Sequence, residues 1–512
     1  MRGRLLAGMG LVTLAAAAFV VACGDDGSHD HVTPTTDSGP SPNPGTDSGP
    51  NPGTDSGPTP TDAGTDTATP LPPIAPLTTA RLPNAINPYG LTVASDGLLY
   101  GSGATIDEGV RKLAVWRFKD GAIDTTFGNA GVLFVDVPGD ETSFAMAEIT
   151  PGNFVVHAIS GGKIFLVKLT KDAGGTFSFG TPTFVKFGWD EDEQWPAEMP
   201  NIPATPPSMN ASYGFALDKT GAQPKLVLSA SGAPAKALDP TTQRSDNDRW
   251  IVRLMADTFA IDPSFNGGKA YTTDVDGKKL GDNGRRAIIE PDGAIVAAGY
   301  SDTGTTGNHI VLIRLLPNGT PDTAFGFGSS VPGQTKYNPF LSVSGFAEAY
   351  GVARTVNGLY VTAGYGTSNL NAPSKSPDMI TTRVKKDGLD PTYGKLGVLA
   401  VQSELDKAAG LGTGTGTTAY EERGRDVVCL ADERCVIAGA YDGFATLYVV
   451  DKNGKLDIGS GNGGMLEYAY PGNMFRILPS TDGKTLFATA TSITQVTGQP
   501  QSSLLVTLKV GQ

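Results

Sequence analysis

Between residues 269 and 328 apolar and polar positions follow one another in short runs: KAYTTDV, then RRAIIE and AIVAAG on either side of a PDG turn, then HIVLIRL. Runs this short, rich in β-branched residues and without a 3.6-residue period, predict strands. Two of them flanking a Gly turn predict a β-hairpin. Four strands over about 60 residues form a blade-like sheet, and several such sheets packed radially make a propeller.

The hairpin pattern occurs seven times, as PYGLTVASDGLLYGSG, FAMAEITPGNFVVHAI, YGFALDKTGAQPKLVLSASG, AIIEPDGAIVAAG, YGVARTVNGLYVTAG, DVVCLADERCVIAG and MFRILPSTDGKTLFATA. The chain ends just after SLLVTLKV, the counterpart of HIVLIRL, and LTTARL at 77–82 stands where VLFVDV stands before the second hairpin. The repeat therefore starts and stops at the same point, and closing it into a ring removes exposed sheet edges. The expected fold class is all-β, a seven-bladed β-propeller of four-stranded blades, preceded by a lipoprotein signal peptide and a disordered linker.

Each unit hands the chain on through a recurring connector, best seen in IDTTFGNAGVLFVDV at 123–137. An acidic head and glycines before an apolar strand first suggest a phosphate or calcium loop. Recurrence changes that reading, because IDPSFNGGKAYTTDV, PDTAFGFGSS, LDPTYGKLGVLAV and LDIGSGNGGMLEY follow the same plan, and GTFSFGTPTFVKF is a degenerate copy. The motif residues are Asp124, Phe127 and Gly128; Asp262 and Phe265; Asp322, Phe325 and Gly326; Asp390, Tyr393 and Gly394; and Asp457. The second unit lacks the aspartate, the third drops one residue after Phe265, and the sixth carries Ser460 where the aromatic belongs. Asp-x-x-Phe-Gly-x-x-Gly followed by an apolar strand and a DG hairpin resembles the delta-60 repeat, a bacterial propeller-type repeat, from about residue 77 to 512. The resemblance implies an exported propeller and names no activity.

The N-terminus changes the picture of where this propeller works. Arg2 and Arg4 precede an apolar run at 5–22 that closes on VVA before Cys23, a secretory layout. It resembles the lipobox of bacterial lipoproteins and implies a lipid on Cys23; an uncleaved membrane helix is the alternative. From 24 to 77 the chain is Asp, Thr, Ser, Gly and Pro, with TDSGP recurring at Thr36, Thr46 and Thr54. Such a segment buries too little apolar surface to order itself, and as a coil of about 55 residues it reaches roughly 40 Å. The expected domains are 1–22 signal peptide, 23–77 lipidated cysteine and tether, and 78–512 propeller. Gly24 after the anchor favours the outer membrane, facing the periplasm or the cell surface.

Lipidation leaves Cys429 and Cys435, facing each other across a hairpin turn in an oxidising compartment, as an expected disulfide. The formal charge is −13, and without a basic patch nucleic acid is not an expected partner.

Candidate chemistry is sparse. A basic residue recurs in the strand before each connector at Arg117, Lys168, Arg253, Arg314, Arg383 and Lys509, with Val449 the exception. One reading ties each to the aspartate of its own turn. The other has these side chains line the central channel and attract an anion; guanidiniums held by turn aspartates, away from the axis, would end it. No cofactor is expected; calcium is the one candidate, at the oxygen-rich loop DVDGKKLGDNG at 274–284, which lacks the full calcium-loop spacing. The loops 189–207, acidic and aromatic, and 404–424, Gly-rich, are insertions of the kind that carry binding. Outside the tether the only histidines are His157 and His309, both read as structural, and no nucleophile or metal motif appears.

The functional expectation is a monomeric, membrane-anchored binding module for a protein or polysaccharide rather than an enzyme. A hydrolase or lyase acting on an extracellular polymer is the alternative, and a purely structural surface component the second. Carboxylates from several blades converging in a pocket would favour the enzyme, and clustered aromatics would favour binding.

Overall fold

A computed structural model describes residues 71–511 apart from 108–109, 138–141, 161–162, 190–213, 233–245, 278, 305–306, 341–344, 368–376, 403–421 and 492–501. The calls on the signal peptide, Cys23 and most of the tether lie outside these residues.

The strands form seven antiparallel sheets, each a blade. Blade 1 is β2 (Ile86–Val93), β3 (Leu99–Asp107) and β4 (Val110–Lys119), with β5 (Ala122–Ile123) and β6 (Val132–Val135) sharing the fourth position. Blade 2 repeats this with β7 (Thr142–Thr150), β8 (Asn153–Ser160), β9 (Lys163–Lys171), β10 (Phe177–Phe179) and β11 (Thr183–Phe184). Blade 3 is β12 (Gly214–Asp218), β13 (Lys225–Gly232), β14 (Asp248–Met255) and β15 (Tyr271–Thr273). Blade 4 is β16 (Asp282–Ile289), β17 (Ile295–Ser301), β18 (His309–Leu315) and β19 (Gln334–Tyr337). Blade 5 is β20 (Ala347–Arg354), β21 (Tyr360–Gly366), β22 (Asp378–Val384) and β23 (Val398–Val401). Blade 6 is β24 (Arg423–Cys429), β25 (Cys435–Tyr441), β26 (Phe444–Val450) and β27 (Met465–Pro471).

Blade 7 joins the two ends of the chain. Its β28 (Asn473–Pro479), β29 (Thr485–Thr491) and β30 (Ser502–Val510) are completed by β1 (Ile74–Pro83). β1 pairs with β30 from Ile74 opposite Val510 to Pro83 opposite Ser502. The inner strands β2, β7, β12, β16, β20, β24 and β28 are neighbours in turn, and β28 returns to β2. The propeller starts earlier than the expected boundary at residue 78, because Ile74 is fully buried in the seam between blades 6 and 7. Likewise the second insertion stops short of Gly424, since Arg423 and Gly424 already pair in β24.

The core is distributed over the seams between blades. Phe127, Tyr100 and Val115 of blade 1 pack against Phe154, Val156 and Phe177 of blade 2. Equivalent clusters fill every other seam, including the one between blades 7 and 1, where Leu505 meets Leu91 and Trp116. A middle strand buried on both faces has no polar face to show, which is why HIVLIRL and AIVAAG read as nearly continuous apolar runs.

The first-to-second and third-to-fourth strand connections lie at one end of the ring, the turn end. The second-to-third and blade-to-blade connections lie at the other, the crossover end. Every stretch within 71–511 outside the described residues joins strand ends at the crossover end.

Candidate functional site

The connectors come first, because their geometry decides between the two readings of the basic residues. Arg117 Nε donates to Asp124 Oδ2 at 2.8 Å, Arg253 Nε to Asp262 Oδ2 at 2.8 Å, and Arg383 Nε to Asp390 Oδ2 at 2.7 Å. The other oxygen of each aspartate accepts the backbone N–H two residues on, from Thr126, Ser264 and Thr392. Each guanidinium also lies over the next aromatic, 5.0 Å from the Phe127 centroid, 5.1 Å from Phe265 and 4.9 Å from Tyr393. One aspartate thus closes the turn and holds the arginine, and the arginine covers the ring that fills the seam. Gly128 and Gly394 adopt φ of 55° and 53°, where a side chain would meet the carbonyls of Val132 and Val398 at 2.3 and 2.1 Å. Gly326 makes the same approach to Gln334.

The variants are informative. Arg314 binds both Asp322 and, at 2.7 Å, Glu290 of its own blade's hairpin turn, and Phe325 is buried beside Tyr360 of the next blade. In blade 6, where Val449 replaces the basic residue, Arg434 reaches across from the hairpin and donates to Asp457 at 3.1 Å. Arg434 also holds the carbonyl of Pro72 at 2.8 Å, and Ser460 bonds both Asp457 and the N–H of Ile74. Lys168 departs from the expectation, donating to the backbone carbonyl of Asp257 at 2.5 Å rather than to a turn carboxylate. Lys509 is exposed on β30. All six basic residues sit on the third strand of a blade, away from the inner strands around the axis. That ends the reading in which they line the channel.

Cys429 and Cys435 are directly opposite in the β24–β25 register and are bonded to each other. His309 opens β18. His157 is fully buried between the rings of Phe144 and Phe215, and burial together with the nearby Arg286 holds its pKa at about 3, so it is uncharged at neutral pH.

The axis is built by a feature the hairpin pattern left unread. Inner strands in blades 1, 2, 4, 5, 6 and 7 each carry a register shift near their middle. A bulge re-aims the extra side chain. Among the residues these shifts set apart are Tyr89, Phe144, Arg285, Tyr350, Arg425 and Phe475, one from each of the six strands and each aromatic or arginine. They touch in sequence around the axis: Phe475 to Tyr89 at 4.7 Å, Tyr89 to Phe144 at 5.3 Å, Arg285 over Tyr350 at 4.6 Å, and Arg425 over Tyr350 and Phe475 at 4.7 and 5.2 Å. Tyr350 and Tyr365 hydroxyls share a hydrogen bond of 2.9 Å, and Arg285 donates to Tyr300 at 2.9 Å. Aromatic faces and guanidiniums alternate favourably in this way because the ring quadrupole attracts a cation.

A sequence signal for the bulge exists. The second strands AIVAAG, YVTAG and CVIAG all end in glycine, and a side chain on Gly299, Gly364 or Gly439 would sit within 2.0 Å of an inner-strand carbonyl. These glycines are the space into which the bulge carbonyl moves.

From this ring toward the turn end the channel is a well of about 670 Å³, lined by Leu91, Met146, Phe215, Ile288, Val427 and Leu478 among other apolar residues. Its wall carries Glu148, which accepts from Ser95 and Gly152, together with Lys219 and a cluster in which Asp426 accepts from Arg476 at 3.0 Å and faces Arg286 at 3.6 Å. Two guanidiniums share one carboxylate, and Nε of Arg476 is buried with no hydrogen-bond partner.

The loop at 274–284 lies at the crossover end, between blades 3 and 4, outside the well. The insertion at 189–207 lies outside the described residues beyond Trp189, and that at 404–424 does so up to residue 421.

A family model described as "Domain of unknown function (DUF5122) beta-propeller" matches residues 290–325, from the hairpin turn of blade 4 to the aromatic of its connector. No curated protein matches the chain. Among solved structures, a protein of unknown function from Dyadobacter fermentans DSM 18053 is 11% identical with a TM-score of 0.41, covering 86% of this chain and 100% of that one. An alpha-L-arabinanase of Penicillium chrysogenum complexed with arabinobiose is 10% identical with a TM-score of 0.39, covering 86% and 97%. The polysaccharide lyase Uly1 is 10% identical with a TM-score of 0.43, covering 85% and 100%. The family match falls within the best-preserved repeat, and the whole described chain is a seven-bladed β-propeller of four-stranded blades.

Proposed function

We propose that the protein is an outer-membrane lipoprotein of the delta-60 repeat type, held by lipid on Cys23 at the end of a disordered tether, whose propeller is a binding module. Its ligand presents a carboxylate or similar anion next to an apolar body and enters the well from the turn end. The observation that carries this reading is Arg476: its guanidinium meets Asp426 in the wall, yet its buried Nε has no hydrogen-bond partner, an unmet donor in a pocket lined largely by apolar residues. A concave, mostly apolar site with few convergent polar groups is what small-ligand recognition needs. The ring of aromatics and arginines beneath it forms a rigid floor. The alternative, a hydrolase or lyase, needs acids free to act in the pocket; the two that line it, Glu148 and Asp426, are engaged by Ser95 and Gly152 and by Arg286 and Arg476.

Titration of the full chain with benzoate, followed by NMR or calorimetry, should show one saturable site. Arg476→Met should weaken it at least about tenfold, the equivalent of about 1.4 kcal/mol. Binding that is absent, or unchanged in this variant, removes the reading. Cys23→Ser should move the protein from the membrane to the soluble fraction, and retention in the membrane would sink the anchor.

A further inference from the structure

We propose that Asp248, Asp274 and Asp282 form a calcium site that clamps blade 3 to blade 4 at the crossover end. The three residues come from separate places in the chain. Asp248 opens β14, Asp274 directly follows β15, and Asp282 opens β16, the inner strand of the next blade. One oxygen from each lies within 4.8 Å of the others. Oxygens bound to one calcium at about 2.4 Å are at most about 4.8 Å apart, so the three fit a single ion, whereas the shorter bonds of magnesium require a tighter group. The donors are all carboxylates, with no thiol or imidazole, which selects a hard cation.

A second observation points to a ligand. Asp282 is fully buried; its Oδ2 accepts the N–H of Val275 at 2.7 Å, but its Oδ1 has no hydrogen-bond partner. A buried carboxylate oxygen without a donor is costly unless a cation or proton meets it. Asp248 is buried as well, and Asp274 is half-buried. Arg249, next to Asp248 in β14, has its guanidinium committed to the carbonyls of Ala297, Ala298 and Val311 in blade 4.

The consequence is mechanical. Beside the apolar packing and the Arg249 hydrogen bonds that already hold this seam, a bound ion would fasten Asp274 and Asp282 to the first residue of β14. This clamp is independent of the well, which shares no residue with it.

The test uses the full chain after chelation. Calorimetric titration with calcium should show one site per chain with a dissociation constant on the order of 0.1–1 mM, as in other extracellular modules. Five millimolar calcium should raise Tm by about 1–3 °C. Asp274→Asn, at the half-buried position where folding is least at risk, should abolish both responses. Asp282→Asn should be at least as stable as the wild type in chelator and less stable in calcium, because it relieves repulsion while removing a ligand. An absence of binding at 10 mM calcium, an equal response to magnesium, or an undiminished response in Asp274→Asn overturns the proposal.

Discussion

At the turn end, Asp124, Asp262 and Asp390 each hold an arginine from the strand before them, and Phe127, Phe265 and Tyr393 fill three different seams in the same way. Around the axis, the six bulge positions hold tyrosine, phenylalanine or arginine, and the contacts change along the ring, ring against ring from blade 7 through 1 to 2 and guanidinium over ring from blade 4 to 7. The connectors are interchangeable parts, since each closes a turn and a seam within reach of its own blade. The axial positions are specialised, because a residue there meets neighbours from other blades and answers to the ring as a whole. Where a connector lacks its arginine, as at Val449, Arg434 supplies the charge from the hairpin turn, whereas in blade 2 Lys168 meets a backbone carbonyl instead.

The largest effect separating the two regions should come from the seams. Phe265→Ala, at a fully buried position, should cost about 3–5 kcal/mol in urea unfolding, and Phe127→Ala should cost a similar amount. A wide gap between the two would break the claim that connectors are equivalent.

Acid should discriminate next. The hydrogen bonds from Thr126 hold Asp124 below the usual carboxylate range, and at Asp262 and Asp390 burial pushes upward but is outweighed by hydrogen bonds and the basic partners. A depressed folded pKa contributes stability that is complete above the unfolded value of about 4 and is lost as pH falls through the folded value. The urea midpoint should therefore drop between about pH 5 and about pH 3, and Asp262→Asn should lower the midpoint at pH 5 while flattening that drop. An unchanged pH profile in this variant would show that the connectors do not carry the acid sensitivity.

The smallest effect is expected at the axis. Tyr350→Phe removes a hydroxyl bonded to Tyr365 while keeping the ring and its cation contacts, and should cost about 1 kcal/mol. A loss as large as that of Phe265→Ala would mean that the axial hydroxyls, and not the seams, hold the ring closed.

Much of the scaffold was readable from the chain. Hairpins, connectors and blade number follow from periodicity and turn residues, which act over a few residues and so leave a local trace. The pairing of Arg117 with Asp124 was legible for the same reason, as both lie on one strand and its turn. The bulge left a fainter trace, in the glycines at 299, 364 and 439, whose role appears only when the inner-strand carbonyl beside them is seen.

What the sequence by itself determined, then, is the blade: strand, turn and connector, each specified by neighbours along the chain. Closure decided the rest. The pairing of β1 with β30, the contact of Arg434 with Pro72, the sharing of Asp426 by Arg286 and Arg476, and the convergence of Asp248, Asp274 and Asp282 join residues that no local pattern relates. They meet because seven twisted sheets packed around one axis bring separate strand ends together.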